Sequence, residues 1–518
     1  MNPQFFSVRQ SSWLRAMFLT TAILTFHAAG AHSQDNSSAS AASSLDDRLR
    51  ALQQQLVQLQ SAMNSMQDEI VRSRAESAEL RREMEATRSL LAAQPKESGM
   101  HTPVATSVLG RSTQTPEETQ QLTDAKLAEL HQTKVESASK YRVRLSGIVL
   151  LNAVENRGAV DNLDLPSLAV PNFPGTPQGS FGATLRQSML GLEVFGPQFG
   201  GARVSANVQF DFAGGFPDVP NGSAFGLARL RTGVVRLDWA ATSIVAGQDA
   251  LFFSPLSPSS VASLAIPEFS YSGNLWTWTP QIRVEHRIRL GESSKLLLQG
   301  GFLDPLSGEQ SSSSYLRTPL AGEASRQPAY ATRVAWTYRL FDHDLTLGAG
   351  AFYSRQNWQF GRSVDAWAGT TDWTIPLAHR WELSGEFYRG RGIGGLGGGL
   401  GRSVVSTGLL SDPTAQVQGL NAAGGWSQLK FRQTEKLEWN AGYGIDNSFA
   451  ADLREYPMAA PGDYAAYLAR NRSGFFNFIY RPRSDLLFSA EYRRLQTISI
   501  TGKSYDADHI NLAIGVLF

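Results

Sequence analysis

The sequence has no cysteine in 518 residues, which removes disulfides, thiolate metal sites and cysteine nucleophiles together. Net charge is nearly absent as well: 47 Lys+Arg against 46 Asp+Glu leaves +1, so nothing points to a nucleic-acid partner. The eight histidines are scattered without ligand spacing, and neither a metal nor a cofactor is expected. Past the first 33 residues no stretch of 18 apolar residues occurs, so no later segment is expected to cross a bilayer as a helix. From residue 141 onward lysine is reduced to Lys295, Lys430, Lys436 and Lys503. In quantity the chain has glycine (47) and tryptophan (11), which suits many turns and aromatic side chains at an interface.

Arg9 and Arg15 precede the apolar stretch Ala16 to Ala29, and Ala29-Gly30-Ala31 offers a small-x-small cleavage site. Residues 1–33 therefore read as a secretory signal peptide, too short in its apolar core to be an anchor. From Leu45 the apolar residues alternate four and three apart through Leu49, Leu52, Leu56, Leu59, Met63, Met66 and Ile70, with softer layers at Ser73, Ser77 and Thr87, as far as Leu91. That heptad stripe over 45–91 is too narrow for a globular core, and no second long heptad run exists to cover it in cis. A coiled coil with other copies of the chain is expected. Residues 92–140 read as a Pro/Ser/Thr/Gly linker with a short helix from about Glu117 to Ser137.

From Tyr141 the period changes to two, the period of β-strands. Sixteen candidate strands fill 141–518, most of them near the nine to eleven residues a tilted strand needs to cross hydrocarbon. In one, Ala202, Val204, Ala206, Val208, Phe210 and Phe212 alternate with Arg203, Ser205, Asn207, Gln209 and Asp211. Short turns such as Trp239 to Ala241 and Phe341 to Asp342 interleave with long loops at about 156–182, 213–226, 249–279, 304–328, 391–423 and 448–470. Outer-membrane barrels show that asymmetry, with short turns on the periplasmic side and long loops outside. Trp336, Tyr338, Trp367, Trp373, Trp381, Trp439, Tyr443, Tyr480, Tyr492 and Phe518 fall on the oily face near strand ends, where an aromatic girdle belongs. The alternation from Ile510 to Phe518 predicts a final strand that pairs with the strand at 141–155 and closes the barrel. The expected fold is thus a transmembrane β-barrel of 16 antiparallel strands preceded by an α-helical coiled coil, located in the outer membrane of a Gram-negative-type bacterium with the coiled coil in the periplasm.

The polar phase of these strands is rich in arginine. Arg203, Arg229, Arg231, Arg236, Arg283, Arg287, Arg289 and Arg333 are expected to project into the lumen, and guanidinium groups favour carboxylates and phosphates. The plainer reading pairs them with wall acids such as Asp211, Glu285, Glu382 and Glu386. The third long loop, 249–279, begins DALFFSPLSPSSVASLAIPEF and has the apolar and Ser/Pro content of a segment folded into the lumen. Asp249 and Glu268 are its acidic candidates for a constriction, opposite the basic wall. Gly392-Ile393-Gly394-Gly395-Leu396-Gly397 fits G-x-G-x-x-G, but lies between two strands with no following helix, and reads as a flexible loop. Ser272 and His286 show no catalytic arrangement, so no enzyme is expected.

Three stretches, TLRQSMLGLEVFG (Thr184 to Gly196), ANVQFDFAGG (Ala206 to Gly215) and LARLRTGVVRLDWAATSIVAGQDALFF (Leu227 to Phe253), resemble the DcaP-like outer-membrane porins, with a departure at Met189. The resemblance implies a homotrimer with an N-terminal periplasmic coiled coil and a preference for small anionic solutes such as dicarboxylates. The function expected is passive diffusion of small hydrophilic solutes through a water-filled pore. The alternative is a structural envelope tether, in which the coiled coil spaces or binds the cell wall, possible contacts including peptidoglycan, and the barrel only anchors it.

Overall fold

The computed structural model describes residues 142–172, 175, 177–216, 226–308, 317–456 and 468–518. The segments expected to be a signal peptide (1–33), a coiled coil (45–91) and a linker (92–140) lie outside the described residues.

Among the described residues the strands are β1 (Arg142–Arg157), β2 (Gly179–Thr184), β3 (Met189–Phe199), β4 (Ala202–Asp211), β5 (Arg229–Asp238), β6 (Thr242–Ala250), β7 (Trp278–Arg289), β8 (Ser294–Leu303), β9 (Ala329–Leu340), β10 (His343–Asn357), β11 (Ser363–Ala378), β12 (Trp381–Arg391), β13 (Val404–Ser406), β14 (Val417–Gly419), β15 (Asn421–Arg432), β16 (Leu437–Ser448), β17 (Leu468–Arg483), β18 (Leu486–Ser499) and β19 (Ser504–Leu517). β13 and β14 form a separate hairpin inside a loop. β2 and β3 both pair with β1 and share one place in the wall. The remaining crossings form a closed antiparallel barrel of sixteen strands, and β19 returns to pair with β1 from Ile148 opposite Leu517 to Arg157 opposite Asp508.

Closure leaves no sheet edge, which backbone groups in hydrocarbon demand. At the seam the Gly147 N–H donates to the Phe518 carbonyl at 2.9 Å, and the Phe518 N–H returns to Gly147 O at 3.1 Å. The Phe518 ring lies over Gly147 so closely that a Cβ there would sit 2.7 Å from ring carbon Cζ.

The two faces follow the alternation. Outward positions are aliphatic or aromatic and exposed, as Val149, Leu151, Ile282, Val284, Leu512, Ile514 and Val516 show, and the predicted girdle residues Trp336, Tyr338, Trp367, Trp381, Tyr443, Tyr480 and Tyr492 are exposed on that face. The inward face departs from a simple polar lining. Ile148, Leu150, Phe352, Val364, Ala366, Ala368 and Ile479 are buried inside the barrel, because loops fold in and pack against them. One interior cluster joins Leu251, Phe252, Phe253 and Leu275 of the third long loop to Leu303, Phe352 and Tyr388 of the wall and to Ile393 and Leu396 of the glycine-rich loop. The G-x-G-x-x-G stretch is therefore a packed plug element rather than a flexible solvent loop: it makes a 3-10 turn at Gly394–Leu396, and Leu396 O accepts from Trp276 N at 3.0 Å.

Candidate functional site: the basic wall and the loop that crosses the lumen

All eight arginines selected from the sequence lie on the inward face. On β5 this requires an irregularity. Arg231 and Arg236 are five apart, and an unbroken strand would send them to opposite sides. Between β4 and β5 the register jumps, with Gln209 opposite Thr232 and Phe210 opposite Leu230, so Arg231 is the extra residue of a bulge. Arg229, Arg231 and Arg236 can then all face in.

Most of these guanidiniums are already engaged. Arg229 grips Asp211 with two bonds, Nε to Oδ1 at 3.0 Å and Nη2 to Oδ2 at 2.6 Å, and Arg231 approaches the same carboxylate at 3.5 Å. Both stack on Trp278, each 4.8 Å from the ring centre. Glu285 receives Arg236 at 2.9 Å, Arg283 at 2.9 Å and Arg287 at 3.3 Å. Arg236 also holds Asp238 at 2.8 Å, and Arg283 holds Asp249 at 2.9 Å. Arg333 forms a bidentate pair with Asp372 at 2.9 and 2.7 Å. These pairs correspond to the plainer reading for Asp211 and Glu285. Glu386, by contrast, accepts from Ser254 Oγ at 2.6 Å and Leu256 N at 2.7 Å. Arg203 and Arg289 are exposed at the short-turn mouth and make no ion pair among the described residues, and the Arg287 side chain is 42% exposed.

The third long loop does fold inward, over Leu251 to Thr277, and Asp249 belongs to the end of β6 rather than to the loop. After Glu386 of β12 the loop passes β15, where Ser259 N donates to Gln428 Oε1 at 2.7 Å, and β18, where Ser260 Oγ donates to Glu491 at 2.5 Å. Its Val261 carbonyl accepts from Asn152 of β1 at 3.3 Å, and the Leu264 and Ala265 carbonyls accept from Arg231 and Arg229, each at 2.6 Å. The loop thus hangs from the wall by polar bonds on both sides of the lumen. Glu268 faces Arg493 of β18, which also bonds Glu491 at 2.8 Å and Ser263 Oγ at 2.5 Å. Burial pushes the Glu268 carboxyl up, to about 8; Arg493 pulls it down and Glu491 adds to the rise. Two carboxylates thus compete for one guanidinium.

Arg493 and Glu491 were missed in the sequence, although both occupy inward positions of a clean alternation and a pair of opposite charges two apart on one strand face was the available signal. The motif Arg186-Gln187-Ser188 lies within the stretch Thr184 to Gly196 but does not belong to a strand. It is instead the inward break between β2 and β3: Arg186 binds Asp164, while Gln187 accepts from Leu264 N at 2.8 Å and donates to Ala262 O at 2.9 Å. A run of polar residues interrupting an alternating strand was its signal.

The inserted loop does not cover the wall evenly. On β15, β17, β18, β19 and β1 the inward side chains are buried beneath it. On β3 to β5, Glu193, Ser205, Asn207, Gln209 and Thr232 keep partial exposure beside Arg203 and the 25% exposed Arg229 side chain.

A closed sixteen-stranded barrel with a loop folded into it and charged residues along the inner wall defines the architecture of an outer-membrane porin. The barrel matches the outer membrane channel DcaP of Acinetobacter baumannii with a TM-score of 0.56 and 17% identity, over 75% of this chain and 100% of that one. OprB of Pseudomonas putida follows at TM-score 0.45 and 10% identity over 73% and 94% of the two chains, and an anion-selective porin from Comamonas acidovorans at 0.43 and 11% over 73% and 100%. No family model matches the sequence, and no curated protein matches it. The fold is that of the DcaP outer-membrane channel.

Proposed function

We propose that the chain forms a passive outer-membrane channel for small hydrophilic solutes with a preference for anions of the dicarboxylate kind. The observation that carries this reading is the uneven interior: the stretch of wall left partly exposed, β3 to β5, leads to the short-turn mouth, where the exposed Arg203 and Arg289 make no ion pair among the described residues and Arg287, paired with Glu285, keeps 42% of its side chain exposed. A solute carboxylate moving along that side meets fixed cationic donors in a narrow, poorly screened passage, which lowers its barrier relative to a cation. Pore lining and constriction are assigned to these residues together with Arg229, Arg231, Arg236, Arg283, Arg333, Asp249 and Glu268, the paired members shaping the wall and the unpaired ones setting the sign. The working unit is a homotrimer, joined through the barrel wall and a periplasmic coiled coil at 45–91.

Planar-bilayer recording tests the reading. Under a KCl gradient the reversal potential is expected on the anion side, and the triple substitution Arg203→Gln, Arg287→Gln, Arg289→Gln is expected to move it toward zero. Silence in the bilayer would overturn the channel assignment and leave the tether as the better account, and a cation-side reversal potential would overturn the anion preference.

A further inference from the structure

A second set of arginines points the other way, out of the barrel. At the long-loop end of the outer wall, Arg355 of β10, Arg389 of β12, Arg470 and Arg472 of β17 and Arg494 of β18 fall on outward positions. The strand register carries them round the barrel as one band: Arg355 stands opposite Asp365, Gly369 opposite Arg389, Asn447 opposite Arg470, Gly474 opposite Arg494, and Arg494 opposite Asp508. Two residues nearer the membrane centre on the same faces lie Tyr353, Phe387 and Tyr492, all exposed, so the band sits immediately above the aromatic level. The matching outward positions on β4 to β9 are Phe210, Leu230, Gln248, Pro280, Phe302 and Tyr330, none of them charged. The band continues past β19 to Arg157 of β1, which stands opposite Asp508 and pairs with Glu155 at 2.9 Å, and stops there, so it is not a general property of the rim.

Among the described residues, four of these cations lack a carboxylate partner. Arg389 donates to the carbonyls of Gly390 and Ala422 and to Asn421 Oδ1, with its plane over Phe449 at 4.3 Å. Arg470 donates to Asn447 Oδ1 at 2.8 Å. Arg472 has its Nε buried with no partner, and Arg355 is exposed without an ion pair among the described residues. A guanidinium at the edge of hydrocarbon is costly unless an anion meets it, and a planar fork of donors suits phosphate.

We propose that this band binds the phosphate groups of an anionic outer-leaflet lipid, with the sector β10–β18 facing that lipid directly. Its height above the aromatic residues favours a headgroup over a solute, since the arginines face away from the lumen. The exposed Trp and Tyr residues of the same sector favour lipid over a second copy of the chain, because amphipathic rings settle at headgroup level. The proposal rests on the outer-membrane reading.

The test uses the full chain and its Arg355→Gln/Arg472→Gln variant, two positions whose loss strands no acid. Both are reconstituted in phosphatidylcholine vesicles with or without diphosphorylated lipid A, and thermal unfolding is followed by circular dichroism. The phosphorylated lipid is expected to raise the wild-type midpoint, dephosphorylated lipid A to raise it less, and the variant to lose half or more of the increment. An equal increment in the variant, an equal one from the dephosphorylated lipid, or the same increment from inorganic phosphate alone would overturn the proposal. So would a variant that falls from oligomer to monomer with its lipid increment unchanged, which would assign the band to a protein contact. Failure of the wild type to insert at all would count against the outer-membrane reading instead.

Discussion

Arg493 shows how much one interior side chain can hold. It reaches Glu491 on its own strand, Ser263 and Glu268 on the inserted loop, and the Pro166 carbonyl of the first long loop at 3.1 Å. Replacing it by Met leaves Glu491 and Glu268 buried without the cation they share, and loss of one partner from such a group costs about 3–5 kcal/mol. A urea titration of the barrel in lipid vesicles is expected to show a loss of that order in Arg493→Met, against little change in Arg289→Gln, which makes no ion pair among the described residues. Glu268 gives a pH signature. Its carboxyl stays protonated in the folded chain up to about 8, against about 4.5 unfolded. The stability this contributes is fully present below pH 4.5 and is lost as pH rises through 8, because only the unfolded state releases the proton in that window. Glu268→Gln, always neutral, is expected to gain on the wild type in urea midpoint between those pH values and to run parallel to it outside them.

The inserted loop is the element on which the interior depends, and its seating needs backbone contact. Gly273 has φ of +102°, and a Cβ there would lie 2.4 Å from the backbone of Gly425 on β15. Gly273→Val combines a left-handed backbone with that collision, costing roughly 1–3 kcal/mol, and is expected to lower the thermal midpoint and expose residues 251–277 to added protease. Little of this was open to sequence reading. The strands were legible because alternation and turn spacing are local: the alternation that begins at Ala202 is β4, Ala202–Asp211. The bulge at Arg231 was not, since a bulge is defined by what the partner strand does. The loop's path was not either, because its anchors Gln187, Gln428 and Glu491 come from distant parts of the chain. Arginine parity gave the inward face except on β5, where Arg231 and Arg236 conflict until the bulge is known, and the division between paired and exposed guanidiniums depended on contacts between strands that no spacing encodes.

For the whole molecule the seam is the decisive joint. Gly147→Val would drive a side chain into the Phe518 ring and the Met189 carbonyl, 2.7 and 2.6 Å from a Cβ at that position. The variant is expected to lose the heat-dependent shift in gel mobility that marks a closed barrel, while Gly369→Val, where a Cβ meets nothing within 4 Å, is expected to keep it.

That same seam has a kinetic corollary. Asn152 on the first barrel strand bonds Asn511 on the last, 359 residues away, so the final pairing is also the most distant one in the chain. Contacts of such separation form slowly, and until this one forms two unpaired strand edges stand open to any other polypeptide. The chain therefore has to be shielded through its whole journey and zipped shut in a single late event, which makes assembly at the membrane, rather than the strength of the finished wall, its most vulnerable stage.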